Sequence, residues 1–454
     1  MPKPPRVSIS HTDERHRSPE RVRELVRQAL EPLGGMNHFV QPGQTVLLKP
    51  NQTVFYGAEE GCTTDPLVVG ALIELAKEAG AKRVQVGESS GGFFESIQCM
   101  RITGIAAVAE KHGAELVDLG SDSVPNRVVQ IPNGKVIKEV PLPIPLLDAD
   151  VIIDVPKAKN HHTDPISGAL KNWMGCVNRV WRQHNHGDME AYGRFMDIMS
   201  VIRPHLVVTD AIIVGEGDGP IANLPIWCGC IVATSDPVAN DAAVCQLLGH
   251  DWKKMHHIRQ AVERGIGMAE PLELVGAPLD NVAIKVWPGH PAFDHLPINV
   301  LLGKGVSLPG TAGHVKSVFD SMLRRQELRE VIFVRGTPTI MLGEIEDPNF
   351  EQHLKEGPYL VFDDAALPKY KNDPRVYFVP GHPVLRSAMP QIFEGLGLKW
   401  SGNVIMKWQQ YQRKLEHNIE YGSTKRRAIT VGKPLLAAAA LVAGIAILGR
   451  TILD

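Results

Sequence analysis

Apolar positions along the chain switch repeatedly between a helical and a strand period. After Ser18-Pro19, residues Val22, Leu25, Val26, Leu30 and Leu33 follow one helical stripe that Gly34-Gly35 stops. Ser18 reads as its N-cap and Pro19 as its first residue. Thr45 to Lys49 is a short buried strand ending at Pro50-Asn51. Asp65-Pro66 opens a second helix through Ala79, closed by Gly80, and Val84 to Val86 is a strand entering Gly87-Glu-Ser-Ser-Gly-Gly92. A helix through Ala107 and a strand Leu116–Leu119 follow. Residues 128–140 (VVQIPNGKVIKEV) predict a hairpin with Asn133-Gly134 as a type I′ turn. Asp150–Val155 and Leu206–Thr209 are further strands. Thr63-Thr64-Asp65-Pro66 and Thr234-Ser235-Asp236-Pro237 read as the same helix-capping chemistry used twice. Such strand–helix alternation predicts an α/β fold with a mixed or parallel sheet covered by helices.

Near residue 290 the pattern breaks into WPGHPAFDHLP. An amphipathic stretch at His314–Glu330 and the apolar runs VIFVRG, PTIMLG, YLVFDD and VYFVPG come next. The expected organisation is a first α/β domain over 1–289, a second smaller α/β domain over 290–399 and a polar, basic linker over 400–433. A C-terminal hydrophobic helix over 434–453 completes it. The uncharged run Pro434–Gly449 is preceded by Lys425, Arg426, Arg427 and Lys433. Counting Thr451, Ile452 and Leu453, with Arg450 snorkelling, the run approaches the roughly 20 residues that span a bilayer core. The basic cluster on its N-terminal side predicts a tail anchor with the body on the cytoplasmic side of the membrane.

Composition narrows the class. At 44% hydrophobic and 22% charged, the chain is neither disordered nor a multi-span membrane protein. Its net charge of −2 comes without a block of one sign, so nucleic acid is not an expected partner. No secretory signal opens the sequence, and a reducing cytoplasm is the default. The six cysteines form no CxxC and no ferredoxin-type run, so an intrinsic iron–sulfur cluster is not expected. Cys228-Gly-Cys230 reads as a core strand with two small buried side chains.

Ligands of doubly wound sheets sit at the carboxyl ends of strands, so polar residues following strands are the candidates. Lys49 and Asn51 follow the first central strand, as an anion partner and its orienter. Glu88 and Ser89 follow the next, where successive N–H groups of the Gly-rich loop form an anion cradle. Asp154 to Asp188 is the densest region, holding five Lys/Arg and four of the 18 His with Trp173 and Trp181 between them. It supplies Lys157, Lys159, His161, His162, Lys171, Asn172, His184 and His186. Histidine moves protons near pH 7 and ligates transition metals; lysine clamps charge or anchors covalently. Asp210, with Glu216 and Asp218 in a Gly-rich turn, suits a metal or polar ligand. Asp65 joins the ligand-binding candidates. His161, His162 and Lys171 stand as catalytic candidates, and His184 and His186 as metal ligands.

The ordered blocks LLKPN (47–51), TTDP (63–66), VGESSG (86–91), DADVIIDVPKAKNHH (148–162), GALKNWMG (168–175), TDAIIVGEGDGP (209–220) and SDPVANDAAVCQLLG (235–249) resemble the DUF362 domain family. Proteins of that family are often described as iron–sulfur-binding, a property of members with an appended ferredoxin segment. A fainter similarity runs to the lactate racemase (LarA-like) superfamily. That similarity implies a catalytic role for His161, a nickel–pyridinium nucleotide on Lys171 and a metal ligand at His184 or His186. Gly168-Ala169 stands here where that superfamily has Gly-Gly, and Ser89 where it has another catalytic His.

Three readings follow. The first is an enzyme acting on a small anionic metabolite, with a metal ion or nucleotide-derived cofactor. Lys49, Lys159 and Lys171 would then bind anionic groups, His161 would move a proton, and Asp210 and Glu216 would orient the remainder. The second is a redox accessory serving an iron–sulfur or membrane electron carrier. The third is a membrane-tethered binding module.

Overall fold

The computed structural model describes residues 3–398 apart from 92–93, 163–164, 186–190, 307–309, 367–368, 383 and 385–388. The strands, in chain order, are β1 Arg6–His11, β2 Thr45–Pro50, β3 Arg83–Glu88, β4 Glu115–Asp118, β5 Asn126–Gln130, β6 Glu139–Pro143, β7 Val151–Val155 and β8 Lys157–Lys159. They continue with β9 Leu206–Asp218, β10 Ala222–Thr234, β11 Glu273–Gly276, β12 Asn299–Leu302, β13 Thr339–Leu342, β14 Tyr359–Phe362 and β15 Tyr377–Val379.

The main sheet runs β11-β1-β10-β9-β7-β2-β3-β4, with β8 also paired to β9. From β9 through β7, β2 and β3 to β4 the pairing is parallel, while β9–β10 and β10–β1 are antiparallel. The sheet is therefore mixed and mostly parallel. Its central strands are buried on both faces, as parallel strands require. In β2, Val46 and Leu48 enter one core while Leu47 enters the other. The helices Pro19–Leu30 and Pro66–Glu78 cover the first face; Ala191–Met199, Pro237–Leu247 and His256–Glu263 cover the second. Both predicted caps form. The Ser18 hydroxyl accepts from Arg21 N, and Asp65 and Asp236 cap helices that begin at Pro66 and Pro237.

A second, parallel sheet runs β12-β13-β14-β15. Its core takes in Val54, Phe55, Tyr56 and Cys62 from the loop after β2, so the two sheets share apolar contacts. The helix Gly310–Arg324 lies at this seam, with Tyr56 Oη 3.0 Å from Ser321 Oγ and the Arg325 guanidinium over the Tyr56 ring at 3.4 Å.

Four local expectations are corrected. The helix expected through Ala107 breaks at Gly104, whose φ of 88° ends one helix and starts another. The 126–143 hairpin forms, but Gln130 pairs with Glu139, leaving an eight-residue loop, and neither Asn133 nor Gly134 takes the positive φ of a type I′ turn. The Asp197 carboxylate shapes that loop by accepting from the N–H groups of Lys135, Val136 and Ile137 at 2.6–2.9 Å. Gly215 to Asp218 is not a turn but the continuation of β9. The VIFVR run is helical, within Glu327–Arg335. Among the described residues no helix is long and apolar enough to cross a membrane. The expected linker and anchor, 400–453, lie outside the described residues.

Candidate functional site

The chain leaves β2 toward β3 and β4 on one side and returns to β7 on the other. The β2–β7 border is thus a topological switch point, where doubly wound sheets open a crevice at their carboxyl ends. Residues from five separate segments close on it. The Lys49 ammonium lies 2.7 Å from Glu88 Oε2, both essentially without solvent exposure. Asn172 ties the two central strands together: its amide nitrogen donates to Asp154 Oδ1 at 2.7 Å and to the Lys49 carbonyl at 3.3 Å. Its amide oxygen accepts from Asn51 Nδ2 at 2.9 Å and Lys49 Nζ at 3.3 Å. Burial opposes the Lys49 charge, but Glu88, Cys176 and Asp154 outweigh it and hold the ammonium above its ordinary range. Burial also pushes the Glu88 carboxyl up, against the pull of Lys49.

The Gly-rich loop after β3 does not offer a free anion cradle. Ser89 N–H donates to Glu88 Oε1 at 2.8 Å and to the Gly175 carbonyl at 3.0 Å, Ser90 N–H to Ser96 Oγ at 3.0 Å, and Gly91 N–H to the Thr53 carbonyl at 2.5 Å. Arg182 closes the loop from outside, donating to Ser89 Oγ at 2.9 Å and to the Ser89 and Ser90 carbonyls. Burial lowers the Arg182 pKa to about 10.

A second ionic group lies beside the first. Lys157 Nζ and Asp210 Oδ2 are 2.7 Å apart and fully buried. The same oxygen accepts from Asp65 N–H at 2.7 Å, and Arg17 joins Asp65 at 2.5 Å and Glu59 at 2.9 Å. Burial works against the Asp65 charge, yet Arg17 and Lys157 hold its pKa below the ordinary value. Lys159 points inward too, donating to the Cys62 carbonyl at 2.5 Å. Lys157, Lys159, Asp65 and Asp210 are thus enclosed, and they fix the loops that follow β2, β7 and β9.

His161 and His162 stand at the rim. Their rings stack at 4.5 Å, and His314 of the helix Gly310–Arg324 meets His162 edge-on at 5.9 Å. The Gly219 carbonyl accepts from His162 N–H at 3.1 Å. Lys171 also reaches the rim, 3.0 Å from Tyr192 Oη and 4.9 Å from the Tyr192 ring centroid. Glu216 accepts from Trp287 N–H at 2.8 Å, and Asp218 faces His290 and Lys316. The side chains of His184 and His186 lie outside the described residues.

Three residues with evident roles escape the strand-end rule. Asp241 accepts from Ala169 N–H at 2.6 Å and Leu170 N–H at 3.0 Å, capping the turn that carries Lys171 and Asn172. A Cβ on Gly168 would lie 2.2 Å from Asp241 Oδ1, so this contact requires glycine. His314 sits within an amphipathic helical stretch, which masks it. Asp154 lies inside an otherwise apolar strand; that one carboxylate among VIIDV was the available signal.

Asp154 Oδ2 is buried and has no hydrogen-bond partner among the described residues. Burial raises the Asp154 pKa to about 8, with Lys49 and Asn172 only partly opposing it. The folded chain therefore holds this proton more tightly than the unfolded chain does. Its contribution to stability is complete below the unfolded value near pH 4 and is lost as pH rises toward 8. Asp154→Asn should flatten that fall: thermal melts from pH 5 to 8 should show a smaller loss of Tm for the variant than for the parent chain.

Three comparisons give the context. The family described as Domain of unknown function (DUF362) matches residues 46–246. A thylakoid-associated protein of Synechocystis is 32% identical over 237 residues, spanning 50% of this chain and 70% of that protein. Among solved structures, the lactate racemase apoprotein of Thermoanaerobacterium thermosaccharolyticum overlaps 74% of this chain and 68% of its own, at 12% identity and a TM-score of 0.36. A Thermotoga maritima protein overlaps 76% of each chain at 13% identity and a TM-score of 0.32. With the matched region covering both ionic groups and the rim residues His161, His162 and Lys171, the chain belongs to the DUF362 family.

Proposed function

We propose that the chain is an enzyme acting on a small anionic metabolite at the seam between its two sheets. The observation that carries this reading is the meeting of His161 and His162, from the carboxyl end of the main sheet, with His314 of the second. Three imidazoles from two structural units, next to a topological switch point, suit proton transfer near neutral pH. In this reading His161 moves the proton, Lys171 with Tyr192 holds the anionic group, and Asn51 lines the rim. The deep ion pairs Lys49–Glu88 and Lys157–Asp210 keep the strand ends rigid. The nickel–nucleotide group implied by the second resemblance finds Lys171 already engaged by Tyr192, so the roles here rest on the chain's own side chains.

The test is a thermal-shift screen of the full chain against hydroxycarboxylates and phosphate esters, followed by product analysis of any hit. A ligand at a hundredfold excess over its Kd should stabilise the chain by about 2.7 kcal/mol. His161→Ala should keep that stabilisation and the parent Tm but lose turnover by about 100-fold or more. Lys171→Met should lose the stabilisation. Full turnover in the His161→Ala chain would reject the assignment.

The same reading places the protein at the cytoplasmic face of a membrane, tethered by residues 434–453. The uncharged run behind a basic cluster supports it, as does the thylakoid association in the name of the Synechocystis relative. Deleting residues 430–454 should move the protein from the membrane to the soluble fraction.

A further inference from the structure

The end of β9 carries a group of side chains that the proposed reaction does not use. Asp218 closes the strand, and the segment after Trp287 folds back across it. Backbone bonds hold that segment in place: Gly217 N–H donates to the Trp287 carbonyl at 2.8 Å, and Trp287 N–H donates to Glu216 at 2.8 Å. Asp218 Oδ1 accepts from His290 N–H at 2.8 Å and from Lys316 at 3.0 Å. Asp218 Oδ2 lies 2.8 Å from His290 Nδ1. The His295 ring stacks on His290 at 3.7 Å. One ligand atom from each of Asp218, His290 and His295 lies within 4.8 Å of the other two.

The partners of His295 distinguish this group from an ordinary polar cluster. Its Nε2 is 2.7 Å from Asp320 Oδ1, and Lys316 holds the other oxygen of Asp320 at 2.6 Å. A carboxylate there takes the ring proton on Nε2 and leaves Nδ1 as a lone pair. His295 Nδ1 is buried and has no hydrogen-bond partner among the described residues. A buried acceptor without a donor is rare in folded proteins. A carboxylate behind one imidazole nitrogen, with the other nitrogen bare, is how metal-ligating histidines are oriented.

We infer that Asp218, His290 and His295 form a binding site for one divalent transition-metal ion of the zinc class. Two imidazoles and a carboxylate match that class and not calcium or magnesium, which take oxygen ligands. Ligand atoms around a shared tetrahedral ion sit about 3.3 Å apart, given metal–ligand bonds of about 2.0–2.1 Å. The Asp218–His290 spacing is close to that already, and the widest pair has to close by about 1.5 Å, by tilting the stacked rings apart. Lys316 stays on Oδ1 while Oδ2 turns to the metal, so the ion and the ammonium do not compete for one oxygen. Three protein ligands leave a fourth position for water. The bound ion would pin the 287–298 segment to the end of β9, one residue before the Gly219 carbonyl that holds His162. The site shares no side chain with the proposed proton transfer and stands or falls separately.

The test is calorimetric titration of zinc chloride into the full chain after treatment with a chelator. One zinc per chain is expected. His295→Gln and His290→Gln should each lose that binding by at least 100-fold, and Asp320→Asn should weaken it about 10–100-fold. The double change His184→Gln with His186→Gln should leave it intact. Circular dichroism and metal-free melts identify any variant that misfolds, and the remaining histidine variant then decides. Absence of stoichiometric zinc uptake, unchanged uptake in a folded histidine variant, or loss only in the His184/His186 variant would each overturn the assignment.

Discussion

Replacing Lys157 by Met is expected to lower stability by about 3–5 kcal/mol, because it strands a buried carboxylate. Lys157 and Asp210 are fully buried and 2.7 Å apart, and Asp65 and Arg17 complete the group. With the ammonium gone, Asp210 retains the N–H groups of Asp65 and Ile212 but loses its counter-charge, while the Asp65 carboxylate remains nearby. Water does not reach Asp210 to compensate. Adding Asp210→Asn to the Lys157→Met chain should recover part of the loss, since a neutral amide needs no cation. Denaturant midpoints of the two single variants and the double variant, with m-values checked for constancy, give the coupling directly. A loss below about 1 kcal/mol is the behaviour of an exposed pair and would contradict the burial described.

That ion group shows what the sequence conveys and what it hides. Lys49, Asn51, Glu88 and Lys157 were legible because each is a polar residue where an apolar strand ends, and strand ends gather at one edge of a parallel sheet. Which of them contact solvent was not legible. Lys49 and Lys157 are sealed by segments that arrive later in the chain, notably the turn carrying Asn172 and the end of β9. Asp154 was hidden because a strand residue is read by its neighbours, and its partner Asn172 lies 18 positions on. His314 was hidden by distance: it joins His162 only once the second sheet packs on the first. The Gly215–Asp218 segment misled in the other direction. Its glycines suggest a turn, yet Gly215 is in β9 because Gly61 and Asn223 press against it, and Gly217 because the Trp287 ring does. The hairpin turn failed for a related reason, as the Asp197 carboxylate, some 60 residues later, shapes the loop in place of local turn chemistry.

Gly175→Ala is expected to be about as damaging as Lys157→Met, for a steric reason that ends as an electrostatic one. Gly175 does not take a left-handed backbone, so its lack of a side chain serves space and not φ. A Cβ there would lie 1.8 Å from Glu88 Oε1 and 2.7 Å from Lys49 Nζ. Neither group can retreat: Glu88 is held by the Ser89 N–H and Lys49, and Lys49 by the Pro50 carbonyl and Asn172. The methyl therefore has to break the buried ion pair, at a cost of about 3–5 kcal/mol. Shortening the carboxylate tests this cause. Glu88→Asp on its own should destabilise the chain, since it pulls the carboxylate away from Lys49. Combined with Gly175→Ala it should cost less than the sum of the two, because the methyl then fills the space the missing methylene vacates. Melting temperatures of the four chains measure that coupling. Strict additivity would mean that Gly175 acts through the backbone of the Trp173–Cys176 turn and not through Glu88.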